Sequence, residues 1–290
     1  MHSAVRYLAV PLAIVAVVAA ALAGSARRAG ARVDERQVDV GGSATLVEDP
    51  SSAEPFEPFR FAVIGPVRGD HGALDRALER IDERGGAALV ILSGDVTRAG
   101  NEGELRALSA VLQDADRATI VLPGDADRRS ERMESVQRRL GPNRWMFVRN
   151  DCRFVGVSGS DAGADAADRT FVSEQTRPVK GLVHTFQVRV HGEPGGDLLT
   201  TADALERLGQ DAGGALALAL YSVTRDGIDV EHDTVRRGPT LSALRRDLEL
   251  GVLYPALSGH WAFGGFLLLC FAALGGAWRL WRTPGPRYVA

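Results

Sequence analysis

Cysteine is scarce: two in 290 residues, Cys152 and Cys270. That is too few to staple a small secreted fold or to build a cysteine zinc site, and it leaves the redox compartment unread. Lysine is scarcer still, with Lys180 the single one among 34 basic residues. Together with abundant alanine this reads as a GC-rich coding bias, so clusters of arginine carry little information on sequence alone. An excess of either charge is also missing. Thirty-four basic against 37 acidic residues give a formal charge of −3, which removes the general case for nucleic-acid binding. Hydrophobic residues at 45% and charged residues at 24% permit a packed core and exclude a disordered, collagenous or low-complexity chain. At about 100–200 residues per domain, the length suits one soluble unit accompanied by apolar segments.

Those segments lie at the two ends. From Tyr7 to Gly24 no residue is charged, and 18 residues at about 1.5 Å each reach about 27 Å, nearly the hydrocarbon thickness of a bilayer. Arg6 precedes the run and Ala21-Leu22-Ala23 closes it, so residues 1–28 read as a transmembrane anchor or, alternatively, a cleaved signal peptide. Gly251 to Trp278 contains no Asp, Glu, Lys or Arg, and residues 251–281 read as a second transmembrane helix. Trp261, Trp278 and Trp281 suit an aromatic belt, while Arg279, Arg282 and Arg287 without any acid suggest that the tail, 282–290, is cytoplasmic. Arg27, Arg28 and Arg32 argue for the opposite orientation under the same rule. A long translocated domain weakens that rule, so the expectation is an integral membrane protein with its main domain extracytoplasmic.

Residues 29–58 read as a flexible linker, broken by Gly41-Gly42-Ser43, Pro50, Pro55 and Pro58. A regular pattern begins at Phe59 and defines a domain over 59–250. Phe61 to Ile64 reads as a buried strand, and Leu74, Leu78 and Ile81 then share a helical face. Ala88 to Leu92 repeats the strand, followed by a helix with Leu105, Leu108 and Leu112, where Asn101 and Glu104 form a capping box. Thr119 to Leu122 is the third strand, before a helix carrying Met133, Val136 and Leu140 that Gly141-Pro142 stops. Three such units argue for a parallel βαβ sheet. Beyond it the texture becomes strand-rich, at Trp145–Val148, Phe154–Val157, Leu182–Val190, Ala215–Tyr221 and Ile228–Glu231, with one helix near Ala202–Leu208. Ala164–Gln175 and Gly192–Asp197 read as surface loops.

In an open parallel sheet the loops leaving the carboxyl ends of the strands form the ligand crevice. Here they are acidic: Asp70 and His71 after the first strand, Asp95 after the second, Asp125 and Asp127 after the third. Carboxylates and an imidazole suit hard or borderline divalent metals. Each Gly-Asp also reads as an ordinary turn and N-cap. What favours a site is the coincidence of three such turns at one edge.

The series of strand, Asp70-His71-Gly72, helix, Leu92-Ser93-Gly94-Asp95, helix, Pro123-Gly124-Asp125-Ala126-Asp127 resembles the calcineurin-like metallophosphoesterases, whose signatures are D-x-H, G-D-x-x and G-N-H-[DE]. The similarity covers residues 59 to 221. It implies an α/β fold, a four-layer sandwich of two mixed β-sheets, here flanked by an N-terminal and a C-terminal transmembrane helix. It implies that Asp95 is the metal-bridging carboxylate, that Asp125 stands for the asparagine ligand, and that Ala215–Tyr221 is the strand that normally ends in a metal-binding histidine. The departures are Gly69 or Pro66 where the first aspartate belongs, Ala126 where the catalytic histidine belongs, and Tyr221-Ser222 where the later histidine belongs. Ser258-Gly259-His260 only half imitates a G-H-x-H.

Two divalent cations about 4 Å apart repel by about 17 kcal/mol at an effective dielectric near 20, so a binuclear centre needs a dense ligand shell. Asp95, Asp125, His71 and Asp127 are the candidate metal residues, enough for one weakly held divalent metal (Mn, Fe, Zn or Mg) or none. The expectation is a pseudoenzyme with a binding or scaffold role. Its partners would be the membrane and a phosphate-bearing ligand or envelope protein, with no nucleic acid. The alternative is an active metal-dependent phosphoesterase in which His184, His191 or His232 completes the shell.

Overall fold

The computed structural model describes residues 2–35, 56–115, 117–128, 136, 139–158, 166–189 and 215–282. It divides into two compact units, Met1–Arg36 with Arg245–Ala290, and Gln37–Leu244.

The larger unit is built on strands whose side chains alternate between two apolar environments. β1 (Phe59–Gly65), β2 (Leu89–Ser93) and β3 (Thr119–Leu122) are parallel neighbours. β7 (Ala215–Val223) runs antiparallel beside β1, and β8 (Ile228–Arg236) antiparallel beside β7, giving a five-stranded sheet of order β3-β2-β1-β7-β8. One face carries Ala62, Ile64, Val90, Leu92, Leu218 and Leu220, covered by α2 (His71–Glu83) and α3 (Glu102–Asp114) through Leu74, Leu78, Ile81, Leu105, Leu108 and Leu112. Val136 and Leu140 join this core, and Met133 lies outside the described residues. The capping box is half realised. Asn101 Oδ1 accepts from Glu104 N–H at 2.9 Å, but Glu104 Oε2 accepts from Ala99 N–H, not from the cap's own amide.

The other face of that sheet meets a second, three-stranded one of order β4-β5-β6: β4 (Arg144–Arg149), β5 (Cys152–Val157) and β6 (His184–Arg189). β4–β5 is antiparallel and β5–β6 parallel. The aromatics between the sheets are close-packed: Phe61 stacks on Tyr221 at 4.6 Å and meets Phe186 edge-on at 4.8 Å, while Phe154 stacks on both Phe147 and Phe186 at 4.9 Å. Offset and edge-to-face contacts of this kind hold two sheets in one register. On the outer side of β5, α5 (Ala166–Gln175) is tied down by the buried Arg153, whose Nη1 donates to the carbonyls of Gln175 and Arg177. The result is helix, sheet, sheet, helix: a four-layer α/β sandwich of two mixed sheets.

Several sequence expectations need correction. Residues 166–175 are a helix rather than a surface loop; with Phe171 and Val172 only half-buried, the segment carries no apolar stripe that periodicity could detect. Residues 29–35 of the expected linker are instead helical, the end of α1 (His2–Glu35), and residues 36–55 lie outside the described residues. The C-terminal helix expected over 251–281 is interrupted. α6 (Leu241–Arg246) passes into a π-helical stretch, Asp247–Leu253, then α7 (Tyr254–Leu257), and α8 (His260–Arg282) starts after Ser258-Gly259. The helix expected near Ala202–Leu208 and the loop Gly192–Asp197 lie outside the described residues.

In the smaller unit α1 packs along α8. Ala16, Ala23 and Ala26 of α1, with Cys270 and Ala277 of α8, are buried, while Ile14, Val15, Val17, Leu268, Leu269 and Phe271 face outward. The Arg27 guanidinium lies 4.7 Å from the Phe263 ring centroid. Ala277 is buried fourteen residues past Phe263, whereas α1 ends at Glu35, eight past Arg27. Only an antiparallel α1 reaches it. Two stretches, Val10–Val33 and Ala262–Arg279, are long and apolar enough to cross a membrane.

Candidate functional site at the carboxyl edge of the sheet

The loops that leave β1, β2 and β3 converge, because their backbones bond to one another. Arg68 N–H donates to Asp95 O at 2.7 Å, Gly69 N–H to Val96 O at 3.0 Å, and Gly94 N–H to Leu122 O at 3.0 Å. The second sheet reaches the same edge: Ser158, just past β5, donates through Oγ to the carbonyl of Pro123. β1 itself approaches β2 closely, and a Cβ on Gly65 would stand 1.9 Å from the Ser93 carbonyl oxygen.

The acidic turns thus gather in one place, and both oxygens of Asp70 and Asp127 and one of Asp95 are engaged by backbone N–H groups. Asp127 is fully buried, and its carboxylate accepts from Val96 N–H (3.1 Å), Thr97 N–H (2.7 Å), Gly124 N–H (2.8 Å) and the Thr97 hydroxyl. Burial pushes its pKa above the ordinary carboxylate value, against the four hydrogen bonds that lower it. Asp95 Oδ1 accepts from Ala126 N–H at 2.9 Å, and Gly124 is pressed against it: a Cβ there would stand 2.3 Å from Asp95 N and Oδ1. Asp70 caps α2, accepting from Ala73 N–H, and its other oxygen accepts from Gly238 N–H, both at 2.9 Å. His71 is buried as the first residue of that helix, and Asp125 is half-buried at the start of α4 (Asp125–Arg128).

Asp70, Asp95 and Asp127 therefore act as turn and loop braces. Among the described residues no group of three or more His, Cys, Asp or Glu side chains could hold a metal ion. With Asp127 enclosed by donors, and with Ala126 and Gly69 offering no ligating side chain in the same loops, the described donor set does not fit a two-metal centre.

The topology also corrects the later histidine strand. β7 is antiparallel to β1, with Tyr221 opposite Phe61 and Ser222 opposite Arg60, so its far end lies at the opposite edge, and Tyr221 belongs to the inter-sheet core. His184 begins β6 at that opposite edge, its Nε2 2.8 Å from Thr224 O, and His232 is mid-sheet across from Ala219. Neither can reach Asp95. The strand whose carboxyl end shares the edge of Ser158 is β6, with Arg189 paired to Val157. His191 follows two residues later and lies outside the described residues.

Sequence reasoning passed over a group of arginines here. Arg237, just past β8, donates from Nε, Nη1 and Nη2 to the carbonyls of Ala215, Val67 and Pro66, pinning the loop after β1. Arg98 Nε donates to Arg68 O at 3.2 Å. Arg68 and Arg98 each lie in a loop that follows a strand directly, the very rule that selected the aspartates; the coding bias toward arginine is what hid them.

No family model matches the chain, and no curated protein matches it. Among solved structures it is similar to Vacuolar Protein Sorting 29 from Cryptosporidium parvum, at 13% identity and a TM-score of 0.34, covering 62% of this chain and 99% of that one. It is also similar to a conserved protein of Streptococcus pneumoniae TIGR4 titled a predicted phosphoesterase, at 13% identity and a TM-score of 0.32, covering 61% and 98%. The fold is defined by its own layers and strand order, a four-layer α/β sandwich of a five-stranded and a three-stranded mixed sheet.

Proposed function

We propose that the chain is a membrane-anchored, calcineurin-like domain that binds a phosphate-bearing ligand or an envelope protein and does not hydrolyse phosphoesters. One observation carries the reading: at the edge where a hydrolase needs free ligand oxygens, Asp127 is enclosed by four donors and Asp95 braces the backbone of Ala126. Breaking such an arrangement to free a metal ligand would strand buried amides. The antiparallel pair α1 and α8 supports a hairpin anchor, with the domain extracytoplasmic. The test is metal content by mass spectrometry on the purified full chain, with bis-p-nitrophenyl phosphate turnover in added Mn²⁺. The expected result is no stoichiometric metal and no turnover above background. A bound pair of Mn, Fe or Zn, with turnover abolished by Asp95→Ala, overturns the reading.

A second reading is favoured by the direction of β6. A hydrolase would complete its ligand shell with His191, which follows β6 in sequence and lies outside the described residues, while β6 itself ends at the shared edge. Turnover lost in His191→Ala would select it.

A further inference from the structure

We propose that Arg68 and Arg98 form a metal-independent phosphate-binding fork at the carboxyl edge of the five-stranded sheet, with Arg237 fixing its base. The inference rests on reading that edge as a binding site, and it assigns binding to the arginines of those loops and not to their carboxylates. The geometry comes from two adjacent loops. Arg68 is a non-glycine residue at φ 53°, a left-handed conformation that such residues seldom adopt without a compensating constraint. Here the constraints are its amide on Asp95 O and its carbonyl under Arg98 Nε. A Cβ on Gly69 would stand 3.2 Å from Arg98 Cγ, so Arg98 is held across the turn by the missing side chain.

Both Arg68 and Arg98 are exposed, and neither forms an ion pair among the described residues. The acids of the neighbouring turns accept from backbone, Glu104 from Ala99 N–H, Asp70 from Ala73 and Gly238 N–H and Asp95 from Ala126 N–H, and form no ion pair with either arginine. Arg237 stays beneath the fork as a brace, since its Nε, Nη1 and Nη2 point at three carbonyls. Its guanidinium is held below its ordinary pKa by burial, with Asp70 opposing and the positive charges of Arg68 and Arg98 adding to the effect. Three cations thus crowd one edge, and planar guanidinium forks match phosphate oxygens in a way ammonium groups do not. The phosphate could be that of a soluble ester or of a lipid headgroup.

The experiment uses the full chain in phosphatidylcholine nanodiscs with excess EDTA, titrated with inorganic phosphate by ³¹P NMR. Saturable binding without metal is expected, weakening as salt rises. Arg68→Gln and Arg98→Gln should each weaken it about tenfold, the loss of one charge-assisted contact. Arg68→Lys should fall between, keeping charge without the fork. Arg117→Gln, which removes a guanidinium paired with Asp82 on the surface, should leave binding unchanged. Unfolding midpoints measured on every variant identify any that fails to fold, and Arg98→Gln substitutes for Arg68→Gln if the strained turn collapses. Competition by phosphatidylglycerol in the nanodisc supports the site and assigns it to a headgroup, and no competition supports it with a soluble ester. Binding that needs Mn²⁺, or equal binding by both Gln variants and the wild type, overturns the proposal. Phosphoester turnover on its own would sink the non-hydrolytic reading and leave the arginine assignment standing.

Discussion

Asp127 illustrates how one residue type can serve chemistry or architecture according to what surrounds it. Its carboxylate closes the loops after β2 and β3 by accepting from Val96, Thr97 and Gly124. Asp127→Ala leaves those amides buried without partners, and we predict a loss of about 3 kcal/mol in urea unfolding. Because burial raises its folded pKa above 3.8, the folded state holds the proton to higher pH than the unfolded chain. The contribution of this group to stability therefore falls as pH rises from 3.8 through the folded pKa. Asp127→Asn, which does not titrate, removes that slope, so the wild-type advantage over Asp127→Asn should shrink between pH 4 and pH 7. An advantage that grows over this range contradicts the sign. Cys152, wholly buried in β5, has its thiol pushed up to about 12 by burial. In a Cys270→Ser background it should ignore Ellman's reagent at pH 8 and react fully in urea; rapid labelling of the folded chain would show the strand to be open.

At the level of elements, the close approach of β1 to β2 is what aligns the first two loops. A methyl group at Gly65 meets the Ser93 carbonyl, backbone that cannot swing aside as a side chain could. Gly65→Ala should therefore cost about 3 kcal/mol and lower Tm, read by circular dichroism; a variant as stable as wild type means the strands are farther apart. The three parallel strands and the first two helices were legible because buried strands and one-sided helices follow fixed periods. α5 was not, since what makes it a helix is its seat on the outer face of β5 through Arg153, a tertiary contact.

At the level of the whole molecule, the proposed membrane hairpin predicts from the antiparallel pairing of α1 and α8 that the outer ends of both helices emerge on one face of the bilayer. With both native cysteines replaced by serine, single cysteines at Ser3 and Pro284 should label with an impermeant maleimide from the same side. Labelling from opposite sides would exclude the hairpin. Lys180 is exposed and is the chain's single lysine, so an impermeant succinimidyl ester reports the side of the domain. Labelling of right-side-out vesicles that is lost in Lys180→Arg places it outside; protection until lysis places it inside.

The sequence by itself determined the parallel βαβ half, the two apolar ends and the meeting of the acidic turns after β1, β2 and β3, because these follow from local periodicity and from where loops leave a parallel sheet. Only the tertiary structure decided what those turns do. Whether a carboxylate is available depends on which amides lie across from it, and Asp95 and Asp127 each find theirs in a neighbouring loop about thirty residues away. The same holds for Tyr221 and Arg237. An antiparallel β7 carries the tyrosine away from the site, and the return along β8 brings the arginine to it, because strand direction is set by pairing across the sheet and not by any pattern along the chain.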